Sequence, residues 1–360
     1  MRAERGWVLV LACLFAASVC AAEHARPWPE ADVRFQHDPN WLGGDGASSI
    51  DLGDGRVLWL FDDSLIATQP GRDRRRAVMV RNSVAMQASR DPAAADARFY
   101  WHVGKQPGSY FPEQRSKWFW PASGIVRNGR LTVLLMRVQA KQGGLGFGIV
   151  GWSAWRTDSI RGEPDRWHWR ELREPAERFD AVVGSGGLIV QGDHVVAVAA
   201  RNSIPHAVLL ARWRVADFDR GRLDAIEWWQ GDGRGWIVQA RLTDLPAAIL
   251  HDASVEFTIH HDDHCGLWRQ VQTDGFGAAD IAMRTAASLT GPWSLPQRLF
   301  HPPESDRTDT LVYQAKAHPW LHADGLVLTY LANASAIAGL ADIRLYTPRF
   351  LRLELDCKQS

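Results

Sequence analysis

Cysteine is scarce in this chain. Four occur in 360 residues, which excludes disulfide-rich scaffolds and clustered-cysteine zinc folds. Cys13 and Cys20 fall in a leader-like segment, so Cys265 and Cys357 remain, a pair that could join in an oxidising compartment. Net charge is missing as well, because 41 Lys and Arg balance 41 Asp and Glu. A neutral chain has no general attraction for DNA, RNA or anionic lipid, and no nucleic-acid partner is expected. After the leader, no stretch is apolar over the ~18 residues a membrane span needs. Strongly periodic long helices are absent. There is no Gly-x-Ser-x-Gly elbow of a serine hydrolase. Gly184-Ser-Gly-Gly187 lacks the spacing and the lysine of a nucleotide loop. No cofactor is expected, and the chain reads as a monomer.

Arg2 and Arg5 precede the apolar stretch 7–19, and Cys20-Ala21-Ala22 offers small residues before Glu23. This is the pattern of a signal peptide over residues 1–22, leaving 23–360 as one secreted or periplasmic domain. No Pro- or Ser-rich linker divides that domain. Tryptophan is abundant, with 18 in the chain. Most indoles fill cores, but they also stack on the apolar faces of sugars.

The organising signal is a recurring hairpin. Strands at 47–52 and 56–61 flank Gly53-Asp54-Gly55, and strands at 123–127 and 130–136 flank Asn128-Gly129. The third hairpin joins 187–190 to 195–200 across Gly192-Asp193. The fourth joins 255–259 to 267–272 across Asp262-Asp263, and the fifth has Asp324-Gly325 before 326–331. These turn pairs supply the left-handed backbone positions that tight hairpins need. Further strands are expected at 77–87, 147–155, 207–215, 280–285 and 343–346. The turns recur about every 67 residues, the size of one four-stranded propeller blade with generous loops. The expected fold is therefore all-β, a single five-bladed β-propeller, with a β-sandwich as the competing reading.

In a propeller the entry ends of the innermost strands form a funnel where ligands bind. With 53–55 as a three-residue loop, Ser49 faces Trp59 and Asp45 faces Asp63. Opposed carboxylates destabilise a sheet. They make sense where one is to hold a proton while the other stays ionised, as glycosidic bond cleavage requires. Asp62 points to the other face if the strand is regular. Glu256, at the start of the fourth hairpin, is either a third carboxylate of the funnel or a half-buried strand residue paired with an arginine. Lys316 and His318 occupy the matching place in the fifth hairpin, where they could bind hydroxyls or stabilise a carboxylate. Trp120 is a candidate stacking platform, and Trp118 reads as core. His260-His-Asp-Asp-His264 has the residue types of a metal site, but it lies at a turn where polar residues are expected, and no metal is assigned.

The stretch from Trp41 to Ser64, with Gly44-Asp45-Gly46 and Phe61-Asp62-Asp63, resembles the opening signature of the domain of unknown function 4185 family. Trp120-Pro-Ala-Ser-Gly124, Ser254-Val-Glu-Phe257, Leu289-Thr-Gly-Pro-Trp-Ser294 and Tyr313-Gln-Ala-Lys-Ala-His-Pro319 are similar too. That family includes secreted endo-D-arabinanases, glycoside hydrolase family 183. The resemblance implies a five-bladed propeller that hydrolyses a furanose-rich, arabinan-like polysaccharide, with Asp45 and Asp63 catalytic. Asp62 departs from the pattern, since glycine is usual there. A non-catalytic carbohydrate-binding propeller is the alternative.

Overall fold

Short apolar strands joined by tight polar turns make this an all-β fold. A computed structural model describes residues 24–334, 342–355 and 357. Its strands form five larger sheets and one small one, each larger sheet built mainly from one stretch of the chain. The first holds Ser48–Asp51, Val57–Phe61, Ser83–Gln87 and Arg98–Tyr100 in that order. The second holds Lys117–Arg127, Arg130–Ala140, Phe147–Thr157 and Trp169–Leu172. The third begins with Ala181–Gln191, His194–Arg201 and His206–Arg214 and extends over three shorter strands. The fourth holds Phe257–Asp262, Leu267–Asp274, Asp280–Ala286 and Gln297–Phe300. The fifth holds Thr310–His318, Leu326–Ala334 and Arg349–Leu353, and Ala25–Pro27 completes it from the other end of the described chain. Trp41–Gly44, Ser64–Ile66 and Val78–Val80 form the small sheet.

The first strands of the five larger sheets touch in succession, and the last, Thr310–His318, also touches the first, Ser48–Asp51. Apolar clusters fill the spaces between neighbouring sheets. Ile50 and Leu58 meet Val133 and Leu135 between the first and second. Leu134, on the other face of the same strand, meets Val195 and Leu209 of the third. Val196 and Leu210 meet Phe257 and Ile259, Ile281 meets Ala315 and Leu328, and Phe350 meets Trp59. Because side chains alternate across a strand, a sheet buried on both faces needs apolar residues at successive positions. That is why runs such as Val133-Leu134-Leu135-Met136 are continuous rather than alternating.

The expected hairpins are all present; the strands of the second and third run longer than the sequence suggested, and those of the first run shorter. The strand expected at 343–346 does not form. Tyr346 has a left-handed backbone, φ 59°. The buried Arg74 guanidinium takes the carbonyls of Asp342, Ile343 and Leu345, with Nη2 to Leu345 O at 2.7 Å. A side chain has replaced the ladder as the backbone's partner. Cys265 and Cys357 are joined in a disulfide that spans 92 residues. Among the described residues no helix is long and apolar enough to cross a membrane. Residues 1–22, read as a signal peptide, lie outside the described residues.

Candidate active site

The site begins in the first hairpin, whose register is the one its turn implies. Ser48 pairs with Leu60 and Ser49 with Trp59. The same register resumes beyond the kink, where Gly44 pairs with Ser64 and Gly43 with Leu65. Asp45 therefore lies opposite Asp63. Its N–H donates to Asp63 O at 3.3 Å and its carbonyl accepts from Asp62 N at 2.8 Å. Two left-handed residues, Gly46 (φ 93°) and Ala47 (φ 49°), bend the chain here without slipping it. Gly46 has no room for a side chain, because a Cβ would stand 2.9 Å from Asp62 N and 3.1 Å from its carboxyl carbon.

Three further sheets bring residues to this kink. From the fifth, Tyr313 Oη donates to Asp45 Oδ2 at 3.0 Å. Gln314 accepts from Gly46 N at 2.7 Å through Oε1, and its Nε2 donates to Asp62 Oδ2 at 3.2 Å and also to Glu256. Lys316, only 2 % exposed, donates to Glu256 Oε1 at 2.8 Å and to Gly46 O at 2.7 Å. Glu256 enters from the head of the fourth sheet. From the second sheet, Trp120 Nε1 donates to Asp63 Oδ1 at 2.9 Å. Arg81 Nη1 meets Asp63 Oδ2 at 3.2 Å, while its guanidinium lies 4.4 Å over the Trp118 ring. Phe147 meets Trp120 edge-on at 4.9 Å. Asp45 Oδ1 and Asp62 Oδ1 are buried with no hydrogen-bond partner.

Four carboxyl groups, Asp45, Asp62, Asp63 and Glu256, share one ammonium and one guanidinium here, so like charges crowd one another. Burial, then the charges of Asp63 and Glu256, hold the Asp45 carboxyl well above the usual carboxylate range against the Tyr313 hydrogen bond. Burial, then Glu256 and Asp45, do the same to Asp62, with Lys316 opposing. Asp63 is raised by burial, but Trp120 and Arg81 pull it back. Two carboxyls held well above the usual range thus stand beside a third, also raised, whose anion has two dedicated donors, unlike surroundings of the kind that acid–base chemistry needs.

The residues expected from sequence sort into two groups. Asp45, Asp63, Glu256, Lys316 and Trp120 are brought together. Lys316 stabilises a carboxylate, one of its two expected roles, and the partner of Glu256 is this lysine rather than an arginine. His318 stands apart and is 1 % exposed. Its Nδ1 bonds Ser49 Oγ at 2.6 Å and its Nε2 bonds Thr329 Oγ1 at 2.8 Å. Burial, then Lys316 and His260, push its pKa down to about 3, so the ring is a neutral bridge between strands. In the His260–His264 segment, Asp262 accepts from His264 N, Cys265 N and Arg269 Nε, the last at 2.8 Å, and thereby fixes the turn. Asp62, Tyr313, Gln314 and Arg81 were not found by sequence. Asp62 joins the cluster because the strand stops at Phe61. Tyr313 and Gln314 both reach it because Gln314 is left-handed (φ 55°) in a bulge between Tyr313 and Lys316.

A family model, Domain of unknown function (DUF5005), matches residues 32–355. This corrects the resemblance to the 4185 family. Most of the segments that carried that resemblance lie in the innermost strands and the first hairpin, where any fold of this kind needs similar small, apolar and turn residues. No curated protein matches the sequence. Among solved structures, a candidate hydrolase from Bacteroides ovatus ATCC 8483 aligns with a TM-score of 0.72 at 18 % identity, over 93 % of this chain and 91 % of that one. At that identity the likeness is one of fold. The catalytic domain of the GH62 α-L-arabinofuranosidase of Coprinopsis cinerea gives 0.49 at 12 % identity, over 92 % and 96 %. The endo-arabinase of Bacteroides thetaiotaomicron VPI-5482 gives 0.47 at 14 %, over 86 % and 94 %.

Proposed function

The chain belongs to the Domain of unknown function (DUF5005) family, and from that premise we propose that it is an exported glycoside hydrolase built as a five-bladed β-propeller. Five sheets, each mainly from one stretch of the chain, with first strands in a closed succession of contacts, support the blade reading. The disulfide supports export, since such bonds persist in oxidising compartments. The observation that carries the activity is the Asp45–Asp63 pair, opposed in one hairpin beside Trp120 and held in unlike surroundings.

Asp63 is the ionised member. Trp120 and Arg81 stabilise its anion, and it takes a proton from water or attacks the anomeric carbon. Asp45 is the protonated member. It gives its proton to the departing glycosidic oxygen, and Tyr313 Oη then stabilises the carboxylate left behind. Lys316 holds Glu256 as the negative background that keeps the Asp45 proton in place, and Gln314 bridges Glu256 to the Asp62 carboxyl. Trp120 binds Asp63 through its indole nitrogen and offers its ring to a sugar face. The substrate is a neutral oligo- or polysaccharide, and arabinan-like furanosides are the first to assay. Asp45→Asn and Asp63→Asn should each lower turnover by at least ~10²-fold while leaving folding intact. Wild-type rates in both variants would refute the assignment. A carbohydrate-binding protein without catalysis would show sugar affinity and no turnover to lose.

A further inference from the structure

The innermost strands run from the carboxylate cluster toward their hairpin turns, and at the turn end they enclose a cavity. This cavity measures about 620 Å³, within the range of small-molecule sites. The second halves of the strands wall it: Ser49, Ser123, the 185–192 segment of the third sheet, His260 and His261, and Trp320. Asp45, Asp62, Asp63 and Glu256 are not in its wall. Lys316 stands between this cavity and the carboxylates, lining the one while its ammonium is bound to Glu256 and Gly46 O.

The chemistry of the wall selects a ligand class. No lysine or arginine in it is free to pair with an anion. Lys316 is committed to Glu256, His318 is neutral, and burial, then Arg269, push His260 down to about 4, so its ring is neutral too. The Asp263 carboxylate lies at the rim, facing solvent, with one oxygen 2.6 Å from His261 Nδ1. What remains is neutral hydrogen-bonding capacity and indole. Trp320 donates to Ser49 Oγ at 2.9 Å and stays partly exposed, Trp268 packs beside His261 at 5.0 Å between ring centres, and the exposed Gln191 stands at the turn. Anionic ligands would need an uncommitted cation, and purely apolar ones would strand the hydroxyl, amide and imidazole groups. A molecule with hydroxyls on its edge and an apolar face satisfies both kinds of wall.

We propose that this cavity is a binding site for a neutral saccharide unit, at the opposite end of the strands from the carboxylates. It does not depend on catalysis at Asp45 and Asp63. The test titrates the full chain with L-arabinose, D-arabinose and D-xylose, read by tryptophan fluorescence and saturation-transfer NMR. At least one sugar should bind saturably. Trp320→Ala should weaken that binding ten-fold or more and Gln191→Ala about three-fold, while Asp63→Asn leaves Kd within two-fold. Should Trp320→Ala fail to fold, the Gln191→Ala result decides, because that residue lies exposed at a turn. Absence of saturable binding for all three sugars overturns the proposal. So does binding that Asp63→Asn abolishes and the cavity variants spare, since the ligand then belongs to the carboxylate cluster. Hydrolysis by the wild type is scored separately, so failure of one reading leaves the other standing or falling on its own result.

Discussion

Lys316 is the sharpest place to perturb this protein. Its ammonium is buried between Gly46 O and the Glu256 carboxylate, at 2.7 and 2.8 Å. Lys316→Met keeps the volume and removes the charge. The Glu256 carboxylate then keeps only its Gln314 donor, with Asp62 and Asp45 nearby. Breaking a buried pair by removing one partner typically costs about 3–5 kcal/mol, because the other charge stays buried. Unfolding entropy near 60 °C is ~2.1 cal/mol/K per residue, which for a chain of this size is ~0.7 kcal/mol/K, so the melting temperature should fall by about 4–7 °C. Glu256→Gln alone strands the ammonium and should cost a similar amount. The double variant Lys316→Met/Glu256→Gln strands neither charge, and its loss should be smaller than the sum of the singles by at least ~1 kcal/mol. The deficit of Lys316→Met should also be larger at pH 8 than at pH 4.5, because the raised Asp62 carboxyl, whose anion Lys316 favours, loses its proton as pH rises. Calorimetry on the four proteins at both pH values is the assay. Additive losses that do not change with pH would show that Lys316 acts by packing alone and would refute the charge argument.

Asp62→Asn should stabilise the protein in a pH-dependent way. The folded pKa of Asp62 is raised, so its favourable contribution is full below the unfolded value of about 4 and declines as pH rises toward the folded one. The variant should therefore match wild type near pH 3.5 and melt higher at pH 8. A constant difference across that span would contradict the assignment. Arg81→Met removes a cation that lowers the Asp63 pKa, so the acidic limb of the kcat/KM profile should move to higher pH. An unmoved limb would mean that Asp63 is not the group titrating there. Cys265→Ser opens a crosslink spanning 92 residues, worth about 4–5 kcal/mol on chain entropy, so the melting point should fall by about 6 °C with activity at 25 °C retained.

Much of this structure is legible in the chain because it is local. A hairpin is fixed by its turn and by the residues within a few positions of it, so all five could be placed from pairs such as Asn128-Gly129 and Gly192-Asp193. The first hairpin went further. Its loop length set the register, and the register put Asp45 opposite Asp63. What could not be read is where the chain leaves regularity. Asp62 is on the wrong face of an ideal strand, but the strand ends at Phe61 and the residue turns inward. In an ideal strand Gln314, Lys316 and His318 share one face. The bulge at Gln314 breaks that alternation, bringing Tyr313 and Gln314 to the site together while His318 is sealed between Ser49 and Thr329. The pairing of Ala25–Pro27 with Arg349–Leu353 has no local signal at all, since it joins the two ends of the described chain.

The division between local and distant contacts has a consequence for how the site comes into being. Hairpins close within a few residues and can form early. The contacts that make the carboxylate cluster do not. Gln314 reaches Gly46 across 268 residues, Lys316 reaches Glu256 across 60, and Trp120 reaches Asp63 across 57. Raised carboxyl pKa values need burial and like charges at close range, so they exist only once the fifth sheet has docked against the first. The strand Thr310–His318 is then the organising element, because it alone touches Asp45, Asp62 and Glu256 through Tyr313, Gln314 and Lys316. The sheet that holds it is completed by Ala25–Pro27, and the disulfide ties the chain just beyond it to the fourth sheet. Both devices lie far from the carboxylates. They act on them by holding in place the strand whose loss would return Asp45, Asp62 and Asp63 to ordinary solvated aspartates.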